Sequence, residues 1–138
     1  MKSPLKTIVA LAVLAALAAP PAAAQRIGDG RGGVGLRKIG GFDHPVFVTA
    51  APGYPKLLFV VEQPGRIKVV RRGHKLRRSF LNISGLVNYD GAERGLLSVA
   101  FPPDYRRSRR FYVYYNDAQG DIRVDEFKRR TPTVAAAG

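Results

Sequence analysis

Two histidines, His44 and His74, are the first groups to weigh as proton carriers in this 138-residue chain. A general base must sit within hydrogen-bond reach of the proton it takes and be oriented by a third group. His44 directly precedes Pro45, and His74 follows Gly73 beside Lys75 in a turn-like stretch. Neither has a carboxylate at a telling spacing, so both read as exposed loop residues. Glu62 and Gln63 close an apolar run and read as hairpin-rim residues rather than ligands. Thiolate chemistry, thiolate metal sites and disulfides are excluded, because the chain has no Cys. The glycines Gly28, Gly30, Gly32, Gly33 and Gly35 do not make a phosphate cradle, which needs a strand before it and a helix after it. Asn82-Ile83-Ser84 satisfies a glycosylation sequon that carries little weight beside a bacterial-style leader.

The elements that must position any such groups are strands. From Pro45 onward, short β-prone runs alternate with turn signals. Val46 to Thr49 and Leu57 to Glu62 are the first two, separated by Ala51-Pro52-Gly53-Tyr54-Pro55. Gln63-Pro64-Gly65 then turns into Arg66-Ile67-Lys68-Val69-Val70, where the apolar and charged residues alternate with the period of a half-wet strand. Pro-Gly is a hairpin signal with a mechanism, since Pro presets one turn torsion and Gly tolerates a positive φ at the next. Phe80 to Ile83 can form a short outer strand, and Gly95 to Phe101 suits a strand buried on both faces. Phe111 to Tyr115 is the most β-prone run, with Tyr112, Tyr114 and Tyr115 read as packing residues. Asn116 to Asp121 turns the chain again into Ile122 to Phe127. No helical stripe is visible in this region, so the fold class is all-β.

Strand groups recurring over roughly 40–50 residues match propeller blades better than a sandwich. One blade spans Pro45 to about Ile83. A second spans Gly95 to Phe127 and lacks its last strand, so the fold expected is the first two blades of a propeller, one of them incomplete. Two blades leave two apolar faces uncovered, which points to missing propeller blades as partners and to a truncated or partial chain. The tail over residues 131–138 carries no strand pattern and is expected to be disordered.

Lys2 and Lys6 precede an uncharged apolar run from Ile8 to Ala19, and Ala22-Ala23-Ala24 supplies an A-x-A site ahead of Gln25. Residues 1–24 therefore read as a helical, cleaved signal peptide, too short for a stable membrane span, and the destination as periplasmic or secreted. Residues 25–41 read as a flexible Gly-rich leader, and residues 42–130 as the folded part. The net charge of +13 falls to +11 without Lys2 and Lys6. Such a surplus reads first as solvated basic loop tips that keep the protein soluble, and second as an attraction for polyanions such as an anionic cell envelope. Nucleic acid is excluded as a partner, because Arg71-Arg72, Arg77-Arg78 and Arg109-Arg110 sit in turn-like clusters without interleaved aromatics to stack bases.

Four stretches together resemble the N-terminal portion of the glucose/sorbosone dehydrogenase family. They are Pro45 to Thr49, Leu58 to Ile67, Gly91 to Leu97, and Ala100 to Tyr105 followed by Phe111 to Tyr115. The resemblance implies a six-bladed β-propeller that holds pyrroloquinoline quinone (PQQ) and Ca²⁺ and oxidises an aldose sugar at its anomeric carbon, using a His base and cofactor-clamping Arg and Lys residues from later blades. It therefore implies no catalytic residue in this chain and weak cofactor binding by this part alone. The loop Asp90 to Leu96 matches the channel-mouth stretch, which makes Glu93 and Arg94 the substrate-proximal residues by resemblance. Glu93 stands where glucose-oxidising members carry Gln. It can accept sugar hydroxyl hydrogen bonds, or pair with Arg94 to pin the loop. The competing expectation is a non-catalytic propeller that binds acidic glycans or envelope surface through its basic loops.

Overall fold

The computed structural model describes residues 26–27, 34–91 and 93–136, and the expected signal peptide over residues 1–24 lies outside them. The chain divides into two units, Met1–Arg37 and Lys38–Gly138. In the first unit, β1 (Arg26–Ile27) pairs antiparallel with β2 (Val34–Gly35). This two-residue ladder lies within residues 25–41, the stretch read from sequence as a flexible Gly-rich leader.

The second unit carries two antiparallel sheets. The first contains β3 (Pro45–Ala50), β4 (Leu57–Glu62), β5 (Arg66–Arg71) and β6 (His74–Lys75), with β7 (Leu81–Asn82) also pairing β5. The second is built in the order β11-β10-β9-β8, from β8 (Leu96–Ala100), β9 (Arg110–Asn116), β10 (Ile122–Thr131) and β11 (Val134–Ala135). Each sheet is an up-and-down meander with its longest strands in the middle, as the turn signals require. At Gln63-Pro64-Gly65 the Gly65 φ is +102°, and a Cβ there would lie 2.7 Å from the Ser84 backbone, so glycine is required on two counts.

Two sequence expectations change. The second sheet does not lack its last strand: β10 runs on to Thr131, and the tail expected to be disordered turns back at Pro132-Thr133 so that Val134 and Ala135 pair with Thr131 and Arg129. Ala135 is buried, and its N–H donates to the Phe80 carbonyl at 2.8 Å, which ties this strand to the first sheet. A run of Thr, Val and Ala has too weak a pattern to announce a two-residue strand; its docking partner decides it. The second change is a one-turn helix, α1 (Tyr105–Ser108), inserted between β8 and β9 and ended by Arg109 in the left-handed region.

The sheets meet face to face. Phe59, Val61, Ile67 and Val69 from the first and Leu96, Val99, Phe111 and Val113 from the second are buried in one core. Phe80 is its pivot, with ring centroids 4.9 Å from Phe59 and 4.8 Å from Phe111. Register explains the sorting: Phe111 pairs Phe127 across β9 and β10 and both face inward, while Val124 opposite Tyr114 and Glu126 opposite Tyr112 face outward. Ile122 and Val124 on that outward face are 64% and 65% exposed, and Val48 on the far face of the first sheet is 57% exposed. The architecture is thus two packed propeller blades with an open flank on each side.

Candidate functional site

The chemistry-bearing side chains gather where β4 ends, β3 begins and the loop ahead of β8 crosses between the sheets. Glu62 and Gln63 stand at the tight β4–β5 hairpin, and both are buried although they close a strand. Glu62 accepts a hydrogen bond from the Asp43 N–H at 3.1 Å. Gln63 serves as a clamp: its Nε2 donates to the Arg94 carbonyl at 2.8 Å, its own carbonyl accepts from the Leu96 N–H at 2.8 Å, and its N–H donates to the His44 carbonyl at 2.9 Å. Gly95 permits this approach, because a Cβ at its φ of +136° would stand 2.5 Å from the Gln63 carbonyl oxygen. From the other side Asn116 holds the same loop: its N–H donates to the Gly95 carbonyl at 3.1 Å, and its carbonyl accepts from the Asn88 N–H at 2.9 Å.

His44 differs from its sequence reading. It is exposed, as expected, but it has a carboxylate partner: its Nδ1 lies 2.8 Å from Asp43 Oδ1. Asp43 Oδ2 is 3.6 Å from the Arg66 guanidinium, and the His44 ring tilts against Tyr89, just ahead of the Asp90 to Leu96 loop, with centroids 5.5 Å apart. Adjacency in sequence concealed the pair, because a neighbouring Asp reaches a His only when the backbone bends sharply, here with His44 at φ +45°. His74 lies at the opposite end of the first sheet, in the β5–β6 hairpin.

The loop residues singled out by resemblance are both exposed. No ion pair joins Glu93 and Arg94 among the described residues; the Arg94 guanidinium instead lies over Gly120 of the β9–β10 turn, and the loop is held through backbone by Gln63 and Asn116. Glu93 is exposed and forms no ion pair among the described residues. Sequence reasoning missed Gln63 and Asn116 as the residues that set the loop. The available signal was their position, each the first polar amide after a buried strand.

Among the described residues no three His, Asp or Glu side chains converge to hold a cation. A concavity of about 860 Å³ between the outer strands is lined by residues that include Phe80 to Ile83, Phe127 and Val134 to Ala136, none of them from this loop cluster.

Comparison with known proteins agrees with this fold. The sequence profile of the glucose/sorbosone dehydrogenase family matches residues 42–134. The chain is 33% identical over 85 residues to the Hedgehog-interacting proteins of Homo sapiens and Mus musculus, covering 59% of this chain and 12% of each relative's length. Among solved structures, a glucose dehydrogenase-type oxidoreductase of Thermus thermophilus superposes with a TM-score of 0.55 at 26% identity, over 70% of this chain and 28% of that one. The PQQ-bound aldose sugar dehydrogenase of Streptomyces coelicolor superposes with a TM-score of 0.58 at 24% identity, over 74% of this chain and 31% of that one. The chain thus spans under a third of each solved relative, as two blades of a larger ring would. With its strand order, its two-blade packing and its profile match all covering the same residues, the chain belongs to the glucose/sorbosone dehydrogenase family.

Proposed function

We propose that this chain forms the first two blades of an exported, PQQ- and Ca²⁺-dependent dehydrogenase that oxidises an aldose sugar at its anomeric carbon. The observation that carries the reading is the loop ahead of β8, tied to both sheets by Gln63 and Asn116, with Glu93 exposed on it and in no ion pair among the described residues. When bound, the quinone supplies the redox chemistry. The residues of this chain position the sugar: Glu93 accepts hydroxyl hydrogen bonds, and the clamp beneath it limits how far it can move. The base and the cofactor clamps belong to later blades, so the chain by itself is inactive in this reading. Export to the periplasm or beyond follows from the leader over residues 1–24.

The test is a chimera in which residues 42–134 replace the matching blades of the Streptomyces enzyme. A folded chimera that reduces dye with PQQ, Ca²⁺ and an aldose supports the reading, and Glu93→Gln in it should shift KM among sugars with a smaller effect on kcat. A folded chimera that binds PQQ yet oxidises no aldose would sink it.

A further inference from the structure

A second site lies at the other end of the first sheet. β4 runs from Leu57 to Glu62, so its two ends are about 17 Å apart at strand rise. The loop ahead of β8 adjoins the Glu62 end. At the Leu57 end, a depression of about 550 Å³ is lined by Lys56, Leu57, Arg71, Arg72, His74 and Leu76. Register places this row across three strands, since Leu57 pairs with Arg71 and Arg71 pairs with His74. The lining contains no carboxylate. The ion pairs among the described residues, made by Asp43, Asp117 and Glu126, all lie elsewhere.

The hairpin turn adds an independent observation. Arg72 and Gly73 form a two-residue loop with φ of +52° and +79°. A turn with both central residues at positive φ favours Asn or Gly at the first position, so Arg there is strained. That strained conformation puts a guanidinium on the rim of the depression. Leu57 is buried and Leu76 half-buried, which gives the charged rim a recessed apolar floor.

We propose that this depression binds an anionic polysaccharide, with Arg71, Arg72 and Lys56 meeting its sulfate or carboxylate groups and Leu57 and Leu76 lying under the C–H face of a sugar ring. Its volume falls within the range of about 300–1,000 Å³ usual for small-ligand pockets. A concave site takes up a single chain. A bilayer would need apolar side chains projecting beside the charges, and here they are recessed. The site is remote from the loop ahead of β8 and does not depend on the sugar-oxidising reading.

The experiment is calorimetric titration of the full chain with dextran sulfate oligosaccharide, unsulfated dextran, inorganic sulfate and anionic phosphatidylglycerol vesicles, at about 0.15 M salt. Dextran sulfate should bind and unsulfated dextran should not. Arg71→Gln and Arg72→Asn should each weaken binding about tenfold, as expected for loss of a charge-assisted contact. Arg107→Gln and Arg130→Gln, which remove the same charge at exposed sites elsewhere, should weaken it less than about twofold. Arg72→Asn should also raise Tm, which separates lost binding from lost folding. Equal losses in all four variants would reduce the effect to net charge and overturn the proposal. Inorganic sulfate binding as tightly as the oligosaccharide, or vesicles binding in its place, would overturn it equally.

Discussion

At the scale of single residues, Tyr105 stands out because its aromatic surroundings are complete and its polar ones are not. Its ring packs edge-on against Tyr54 at 5.9 Å and against Phe101 at 4.7 Å, with the Arg129 guanidinium 5.3 Å from its centroid. Its hydroxyl is buried without a hydrogen-bond partner among the described residues. Tyr105→Phe removes only that unsatisfied group and should be neutral or stabilising by up to about 1 kcal/mol, whereas Tyr105→Ala should cost about 3–5 kcal/mol in thermal unfolding. Burial raises the Tyr105 pKa well above its ordinary value of 10.0. Burial also raises that of Tyr115, helped by the bond its hydroxyl donates to Asp125 at 2.7 Å. In both, the folded state keeps a proton that the unfolded chain releases near pH 10. Their contribution is whole below that pH and is lost as pH rises through the folded pKa values. Melting temperature should therefore fall above about pH 10, and Tyr105→Phe should flatten the fall. A Tm that holds steady to about pH 12 in the unaltered chain would contradict this.

Among the elements, the loop ahead of β8 depends most on backbone geometry. Gly95 combines a φ of +136° with a 2.5 Å approach to the Gln63 carbonyl oxygen. Gly95→Ala must move either the loop or the end of β4, and should destabilise the chain by more than about 2 kcal/mol, with faster amide exchange at Leu96 and Asn116 as the local signature. Gln63→Leu keeps the bulk but leaves the Arg94 carbonyl without its donor, so it should cost about 1–3 kcal/mol. If Gly95→Ala melts like the parent chain and exchanges no faster at those amides, the loop is not clamped as described.

The whole molecule is governed by its open flanks. Ile122, Val124, Tyr112 and Tyr114 share the outward face of the second sheet, and Val48 and Leu58 share that of the first. In a propeller such faces are covered by the next blades, and uncovered they associate. The 138-residue chain on its own should therefore self-associate in sedimentation and show no aldose-dependent dye reduction with PQQ and Ca²⁺. Changing Val124 and Ile122 to Lys should lower the association without loss of the core, since both are more than 60% exposed. A monomer with a sharp cooperative melt would mean that the flanks need no cover.

The amino-acid order alone determined the longer strands, the turns between them and the family. β-prone runs broken by Pro-Gly and Asn-Asp signals are local information, and four such runs in order are specific. It also determined the absence of Cys and the basic surplus. What only the tertiary structure decided are the contacts that join distant stretches. Gln63 meets Arg94 and Leu96, Ala135 bonds to Phe80, and Asp43 bends onto His44 under Tyr89. The Ala135 and Gln63 contacts depend on which backbone groups are left unpaired once the sheets pack, and the Asp43 contact on a local torsion. Neither quantity is written in residue type or spacing, because hydrogen-bond demand arises only when burial removes water.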